Sequence, residues 1–261
     1  MTSLFPKRVS STVQKLTKRL LQVLAVLALA VTAGATAEEA ASGEAALSTY
    51  TAQYKLARAG LTLNVTRELK ESGDGGFTLS QGGKNLVANI HEMSAFRVEG
   101  TRVVPKSFIY QLSAPFVKRR REIHFTPGSS TIRSLYKETW YDLPYTEGTL
   151  DRMSQQEQLR LWLLNDPTPQ EDFSVPVADG RRVKEYEFVF VAEETLQTAL
   201  GELRTLHFRR LHDDPERQSD TWVAPGLGYL IVKAAHTEDG SPTELVITSA
   251  SVTGLEAPNK Q

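Results

Sequence analysis

The sequence predicts a mainly β protein of the α+β class, with a strongly curved antiparallel sheet or open barrel and one substantial helix packed against its concave side. Three observations support this fold. Apolar and polar residues alternate over much of the chain after Thr49, as they do in half-buried strands. Glycine and proline turn signals divide these stretches into about a dozen strands. A glycine-free and proline-free stretch from Ser154 to Asn165 indicates a helix, without the strand–helix alternation of a parallel sheet.

The amino-terminal residues have the three parts of a secretory signal. An apolar run from Leu20 to Val31 precedes Ala35-Thr36-Ala37, which fits the small-x-small cleavage pattern. The cationic residues before this run are Lys7, Arg8, Lys15, Lys18 and Arg19. The run is shorter than the ~20 residues that a membrane-spanning helix needs, which favours a cleaved signal over an uncleaved anchor. We expect residues 1–37 to be removed, leaving no stable membrane span, on export to the periplasm of a Gram-negative bacterium.

The composition excludes several classes of chemistry. The chain has no cysteine, so disulfides, thiolate metal sites, cysteine nucleophiles and a lipoprotein anchor are impossible. Loss of the signal would take five of the 30 basic residues and none of the 31 acidic ones, so the formal charge would fall from −1 to −6. A net negative charge argues against nucleic acid as a partner.

Strand and turn signals divide the mature chain into a flexible linker at 38–48, a single β-rich domain at 49–255 and a disordered tail at 256–261. The predicted strands before the helix are Tyr50–Leu56, Leu61–Val65, Phe77–Leu79, Leu86–Val98, Val103–Leu112, Val117–Phe125 and Thr131–Tyr136. Those after it are Val183–Ala192, Leu203–Leu211, Gln218–Val223, Tyr229–His236 and Glu244–Thr253. Hairpins are predicted at Gly60 and at Asp239-Gly240. Asp151 is the predicted helix cap, and Asp166-Pro167 ends the helix.

Several blocks of the second half form a recognisable set. They are Asp151 to Gln156, Asp179 to Tyr186, Leu196 to Gly201, Trp222 to Leu230 and Glu238 to Gly240. Together they resemble the periplasmic family called domain of unknown function 3108, over roughly Thr49 to Ser249. The resemblance implies a periplasmic location and a β-rich fold, and it implies no catalytic residues. A looser similarity relates the fold to the curved sheets of lipoprotein carriers that shuttle acyl chains between membranes.

The sequence predicts no catalytic residue, no metal ligand and no cofactor site. There is no Gly-x-Ser-x-Gly motif, and the five histidines do not have the spacing of a zinc site. His212-Asp213-Asp214 indicates an exposed acidic turn, and Glu193-Glu194 indicates a solvated strand end.

Two groups of residues are candidates for binding. Aromatic residues on strands and on the helix either belong to the core or line an apolar cleft where the helix meets the sheet. The residues predicted to bind a ligand are Trp162, Tyr186, Phe188, Trp222 and Tyr229. The basic run Lys118, Arg119, Arg120 and Arg121 either contacts anionic groups or an acidic partner, or protects an exposed edge strand from aggregation.

Three functions follow from this pattern, in decreasing order of support. The leading hypothesis is a non-enzymatic periplasmic binding or carrier module for an apolar or amphipathic, lipid-like molecule of the cell envelope. The second is an interaction protein that assists outer-membrane protein assembly or envelope quality control, docking through the edge near the basic run. The third is a hydrolase that uses acidic residues. An open pocket on the concave face would favour the first, and a filled concave face would exclude it.

Overall fold

The computed structural model describes residues 45–58, 60–85, 88–168, 172–238 and 240–255. The predicted signal sequence, residues 38–44 of the predicted linker and the predicted tail at 256–261 lie outside the described residues. The last part of the linker is described and packs on the domain: Leu47 is buried, and the amide of Ala45 donates to Asn165 Oδ1 at 3.0 Å. Packing therefore begins before Thr49.

The described residues form fifteen strands and one α-helix. The first eight strands are β1 (Tyr50–Arg58), β2 (Leu61–Glu71), β3 (Phe77–Lys84), β4 (Asn89–Glu99), β5 (Arg102–Ala114), β6 (Val117–Phe125), β7 (Thr131–Tyr136) and β8 (Thr139–Pro144). Then come β9 (Leu150–Asp151), α1 (Ser154–Asn165), β10 (Phe173–Asp179), β11 (Arg182–Thr198), β12 (Gly201–Arg210), β13 (Gln218–Ala224), a 3-10 turn (Pro225–Leu227), β14 (Leu230–Glu238) and β15 (Ser241–Val252).

All fifteen strands belong to one sheet, and the chain connection forces that sheet to curve. Its order is β8-β7-β6-β5-β4-β3-β2-β1-β15-β14-β13-β12-β11-β10-β9, antiparallel except for the β9–β10 pair. A flat sheet of this width would place its two edge strands, β8 and β9, about 65 Å apart. These edges are consecutive in sequence, and the segment 145–149 between them spans at most about 20 Å. The sheet therefore bends back on itself.

Besides the β1–β15 ladder, side-chain hydrogen bonds within the described residues join the first half of the sheet, β1–β8, to the second half, β9–β15. Ser134 Oγ on β7 donates to the carbonyl of Gly180, in the β10–β11 hairpin, at 2.6 Å. Ser94 Oγ on β4 donates to Asp151 Oδ2 on β9 at 2.7 Å. Both serines are fully buried. The sheet is thus strongly curved without closing into a barrel, as the sequence predicts.

The alternation predicted for the first strands is confirmed. Tyr50, Ala52 and Tyr54 are buried on β1, while the residues between them are not. The predicted hairpin at Gly60 is also present, because Arg58 pairs with Leu61 across a two-residue connection. The same holds at Gly240, where Glu238 pairs with Ser241. Asp239 itself lies outside the described residues.

The helix lies inside the curved sheet, with the predicted bounds. Leu159, Leu161 and Leu163 are buried, and the neighbouring elements include β4, β5, β9 and β10. The N-cap residue is Met153 and not the predicted Asp151, which ends β9. Asp151 still supports the helix start, because its Oδ1 accepts from the amides of Met153 and Ser154 at 2.8 and 3.0 Å. Ser154 Oγ in turn accepts from the amide of Asp151 at 2.9 Å. These bonds satisfy amides that a helix start leaves without partners.

A buried charged cluster fixes the helix against the sheet. Glu157 on the helix accepts hydrogen bonds from Tyr50 at 2.7 Å, Arg67 at 3.2 Å and Arg160 at 3.3 Å. Arg160 also donates to the backbone carbonyls of Ser48 and Gly228. A buried charge costs several kcal/mol unless it is paired, so these partners have to be present together. The cluster therefore sets the helix position more specifically than apolar packing would.

Three strands were missed by the alternation pattern, and the count of about a dozen was therefore low. β9 has only two residues, and β8 is an edge strand that ends at Pro144. β10 contains Pro176, which argued for an irregular connection. Pro176 pairs with Glu185 on one side only, since β9 pairs with β10 only at Val177 and Ala178. A strand that is paired on only one side at this position tolerates a proline.

Candidate functional site

A cleft of about 740 Å³ opens on the concave side of the sheet. Its walls come from the start of α1, from β10 to β15, and from Arg121 and Tyr136 on β6 and β7. Its basic residues are Arg58, Arg121, Arg152, Arg181, Arg182, Lys184, Arg210 and Arg217, against the carboxylates of Asp179, Asp220 and Glu238. The cleft is therefore open but predominantly polar, which differs from the apolar pocket expected.

One wall of the cleft is apolar. It is made by Tyr186 and Phe188 of β11, Ala234 of β14 and Leu245 of β15. Ala234 pairs with Leu245 across the strands, so these two side chains share a face of the sheet. This apolar wall has two parts, because β12 and β13, with Arg210, Ser219 and Thr221, lie between β11 and β14. The cleft thus combines apolar and cationic side chains.

The five aromatic residues predicted to bind a ligand do not form one site. Tyr186 and Phe188 line the cleft. Trp162 does not line the cleft. It stacks on Phe173, with ring centroids 5.1 Å apart, and the ring centroid of Phe173 lies 5.9 Å from that of Phe188. Trp222 and Tyr229 do not line the cleft. Aromatic character alone does not give the strand face on which each residue lies, so the sequence could not show which of the five share a cleft. Whether any of them binds a ligand stays a prediction.

Trp222 belongs to a separate polar cluster. Its ring stacks on His207 at 4.2 Å, and its Nε1–H donates to Glu194 Oε2 at 3.0 Å. His207 contacts Glu194 through Nδ1 at 2.8 Å and Asp220 through Nε2 at 2.7 Å. Glu194 therefore lies within β11, which continues to Thr198, so the prediction of a strand end was wrong. Glu193 is exposed, as predicted, and pairs with Arg204. Both ring nitrogens of His207 are occupied by carboxylates, so His207 is not placed to act as a general base.

The carboxylates of this cluster are held in the charged form. Burial raises the pKa of Asp220, but hydrogen bonds from Gln218, His207 and Arg209 outweigh it, so the net pKa is lowered. The bond from Trp222 is the main cause of a lowered pKa at Glu194, with His207 adding to it against a partial burial penalty. Such a network stabilises the β11–β13 region rather than performing chemistry.

A second cluster lies on the cationic side of the cleft and consists of Arg210, His212, Ser219 and His236. Ser219 Oγ lies 2.8 Å from His212 Nε2 and 2.8 Å from His236 Nδ1. Burial, and then the charges of Arg210, His236, Arg217 and Lys184, lower the pKa of His212 to about 4. His212 therefore faces the cleft as a neutral ring. Asp213 and Asp214 lie in an exposed turn, as predicted, whereas His212 itself is half-buried.

Arg210 lies in the same cluster and has an unusual environment. Its guanidinium stacks on the Tyr186 ring, 3.3 Å from the centroid, and burial lowers the pKa of Arg210. Its Nε is buried and has no hydrogen-bond partner among the described residues. Sequence reasoning missed Arg210, Ser219 and His236 as site residues. The available signal was that Lys184, Tyr186 and Phe188 alternate onto one face, but the residues on neighbouring strands depend on register, which the sequence does not specify.

The basic run Lys118 to Arg121 lies on β6, which is not an edge strand of the sheet. β6 pairs with β5 along Val117–Phe125 but with β7 only from Glu122 to Phe125. The prediction of a sheet edge was therefore wrong for β6 as a whole, although residues 117–121 extend beyond β7. A cavity of about 830 Å³ is lined by the whole run, and Phe116 at the hairpin tip is fully exposed.

Catalytic and metal chemistry find little support in the described residues. Glu238 Oε2 is 3.9 Å from His236 Nε2, too far for a hydrogen bond, and Glu238 pairs instead with Arg217. The Ser219–His236 pair therefore lacks a carboxylate to orient the ring. No group of three or more His, Asp or Glu side chains in the described part of the chain could hold a metal ion. No described helix is long and apolar enough to cross a membrane.

Comparisons with known proteins agree with this fold. The family described as Protein of unknown function (DUF3108) matches residues 49–247. A β-barrel-like protein of domain of unknown function DUF1849 from Brucella abortus shares 12% identity, with a TM-score of 0.54, over 80% of this chain and 100% of that chain. A DUF1329 family protein from Desulfovibrio piger shares 13% identity over 83% and 89%, with a TM-score of 0.30. The similarity of fold is inferred from the Brucella abortus structure, whose TM-score is 0.54. No curated protein matches the sequence.

Proposed function

Since this chain belongs to the DUF3108 family, whose description gives no activity, we propose its function from the cleft: a non-enzymatic binding or carrier module for an amphipathic, lipid-like molecule of the cell envelope. The observation that carries this proposal is the cleft itself, a cavity of about 740 Å³ with an apolar wall and a cationic wall. That volume lies within the range of roughly 300–1,000 Å³ typical of small-molecule sites.

The two walls favour an amphipathic ligand over a wholly apolar one. A purely apolar molecule would remove water from eight Arg and Lys side chains without offering them hydrogen bonds. An amphipathic molecule can place its chain against Phe188, Ala234 and Leu245 and keep a polar group beside the cations. We therefore narrow the expected ligand from apolar or amphipathic to amphipathic.

The proposed location follows from the leader alone. A basic start, a short apolar run and Ala35-Thr36-Ala37 predict cleavage after residue 37 and a periplasmic mature protein. A carrier at this location would exchange its ligand between the two membranes of the envelope. N-terminal sequencing of the exported protein tests this, with Glu38 as the expected first residue.

Mass spectrometry of bound lipid tests the proposed function. Mature protein purified without detergent should release a lipid-like molecule into an organic extract. Ala234→Trp should abolish this because the indole would occupy the apolar wall, whereas Ser249→Trp, at an exposed position on the same strand β15 as Leu245, should not. An extract without lipid from the wild-type protein, followed by no binding of added amphiphiles, would contradict the proposal.

A second candidate function is favoured by a separate observation, the β5–β6 hairpin. Fully exposed Phe116 at its tip and the adjacent basic run suit contact with an acidic envelope protein in outer-membrane protein assembly or quality control. Lys118 and Arg119 have no ion pair in the described part of the chain. Cross-links to a partner in cells should weaken in a Phe116→Ser, Lys118→Glu, Arg119→Glu variant, and unchanged cross-linking would exclude this function.

A further inference from the structure

We propose that the cationic wall of the cleft is a phosphate-binding site formed by Lys184, Arg210, His212, Ser219 and His236. This inference rests on the proposed function, because it identifies the polar group of the same ligand. The five residues come from β11, β12, β13, β14 and the segment between β12 and β13, so a group in the cleft would be contacted from several directions.

The cleft is lined by more Arg and Lys side chains than there are carboxylates in it to pair with them. Each of the three carboxylates already pairs with an arginine. Asp179 Oδ1 lies 3.5 Å from Arg121 Nη1. Asp220 accepts from Arg209, and Glu238 pairs with Arg217. Arg58, Arg181, Arg182 and Lys184 have no ion pair within the described residues. A pocket in which cations remain unpaired beside partly buried surface attracts an anion strongly.

Arg210 has a buried hydrogen-bond donor, its Nε–H, that lacks an acceptor among the described residues. Buried polar groups are nearly always hydrogen-bonded, yet the buried Nε of Arg210 has no partner among the described residues. The guanidinium is held in place by stacking on Tyr186, which leaves its planar fork of donors oriented before any ligand arrives. An oxyanion beside this fork would provide the acceptors.

The neutral ring of His212, together with Ser219 and His236, supplies further hydrogen-bonding groups next to these charges. Burial is the first cause of the low pKa of His212, about 4, and the charges of Arg210, His236, Arg217 and Lys184 lower it further, in keeping with the excess of cations around it. The groups that face His212 are Lys184, Arg210, Arg217, Ser219 and His236, and none of them is an acid. A dianion would offset this excess of cations.

Phosphate fits this wall better than a carboxylate does. A phosphate monoester carries up to two negative charges and three terminal oxygens, which matches donors that approach from four strands and a loop. A carboxylate has one charge and two oxygens in a plane, and would leave part of the wall without an acceptor. The shared chemistry, a phosphate group, could arrive on a lipid or as a free ion.

Calorimetric titration separates these sources. The probes are inorganic phosphate, dihexanoyl phosphatidic acid and the neutral dihexanoyl glycerol, each added to mature protein. We expect phosphatidic acid to bind at least about ten-fold more tightly than dihexanoyl glycerol, since each charged hydrogen bond contributes strongly in a partly buried site. Equal affinity of the charged and neutral lipids would overturn the phosphate site.

Variants then place the site within the cleft. Lys184→Gln and Arg210→Gln should each weaken phosphatidic acid binding about ten-fold and leave dihexanoyl glycerol binding unchanged. Arg204→Gln is the matched control, because Arg204 lies on the same strand as Arg210, is exposed, and pairs with Glu193 outside the cleft. Thermal unfolding shows whether each variant is folded, and Lys184→Gln removes no hydrogen bond or ion pair seen in the described residues. Weakening by Arg204→Gln as large as by Lys184→Gln would contradict the placement.

The pKa of His212 gives a readout that a purely structural role would not change. Bound inorganic phosphate or phosphatidic acid should raise this pKa from about 4 towards the usual value near 6.5, as followed by NMR of the imidazole protons. No movement at saturating ligand would overturn the site.

The outcomes distinguish the two proposals. Binding of both lipids with no dependence on phosphate would leave the amphipathic-ligand function standing and remove the phosphate site. Binding of inorganic phosphate alone, with neither lipid bound, would leave the phosphate site standing and remove the lipid-binding function.

Discussion

Glu157 is the residue on which the position of the helix depends most. It is buried and accepts hydrogen bonds from Tyr50, Arg67 and Arg160, two of which are buried arginines. Replacement by alanine would leave both guanidinium groups without their carboxylate.

We predict that Glu157→Ala lowers the free energy of unfolding by about 3–5 kcal/mol, the usual cost of an uncompensated buried charge. Glu147→Ala, which breaks the exposed Arg102–Glu147 pair, should cost less than about 1 kcal/mol. Urea unfolding followed by tryptophan fluorescence measures both. Similar small losses in the two variants would show that the buried cluster does not hold the helix.

Asp220 should make the stability depend on pH in the acid range. Its pKa in the folded protein is lowered, because hydrogen bonds from Gln218, His207 and Arg209 outweigh its burial. A carboxyl with a depressed folded pKa stabilises the protein above the unfolded pKa of about 3.9, and this contribution is lost as pH falls through the folded value.

We predict that the free energy of unfolding falls as pH is lowered from 5 to 2.5, and that Asp220→Asn flattens this fall. Asp142→Asn, which removes a carboxylate from an exposed ion pair with Arg133, is the matched control and should leave the slope nearly unchanged. Urea titrations at several pH values provide the measurement. An equal slope in wild type and Asp220→Asn would contradict the assignment.

At the level of single residues, the sequence could indicate chemistry but not partners. Tyr186 and Phe188 were predicted as ligand-binding residues and do line the cleft, because period-two alternation placed them on one face. Whether they bind a ligand stays a prediction. The contacts of Arg210 with Tyr186, and of Ser219 with His212 and His236, depend on strand register. Register between β11 and β14 includes two bulges, and neither has a sequence signal strong enough to place it.

Among the elements, the β10–β11 hairpin has a turn that packs closely against another strand. Gly180 has a φ of +64°, and a Cβ there would lie 3.2 Å from the Tyr136 ring. Its carbonyl accepts from buried Ser134 on β7. This turn therefore connects the β10–β11 hairpin to β7.

We predict that Gly180→Ala destabilises the protein by more than Gly75→Ala does. Gly75 has a similar φ of +74° but open space around its Cβ, so its replacement should cost only the backbone strain of about 1–2 kcal/mol. The excess at Gly180 measures the contact with Tyr136. Equal losses in thermal unfolding would show that this contact between β7 and the hairpin adds no stability.

The elements differ in how well the sequence specified them. The helix bounds were predicted correctly because a long stretch without glycine, proline or β-branched residues, followed by Asp166-Pro167, has few alternative structures. β10 was missed since a proline normally argues against a strand, and only the very short β9 beside it makes Pro176 acceptable. β6 as a whole is not the predicted edge strand, because edge position is a property of the whole sheet order, although residues 117–121 have no partner on the β7 side among the described residues.

For the whole molecule, curvature follows from chain connection more than from local pattern. The two edge strands β8 and β9 are adjacent in sequence, so the first and last strands of the sheet order have to meet. A pattern of alternating residues predicts strands but not their order, which is why the sequence left open a curved sheet or an open barrel. The lining of the resulting cavity was unpredictable for the same reason.

The location of a bound amphiphile tests the central claim most directly. A phosphatidic acid with a diazirine in its acyl chain would be bound to the mature protein, irradiated, and its adducts mapped by peptide mass spectrometry. The account predicts adducts on the apolar wall, at Tyr186, Phe188 or Leu245, and their loss in Ala234→Trp. Adducts that fall on Phe116 or elsewhere on the outer surface, and persist in Ala234→Trp, would contradict it.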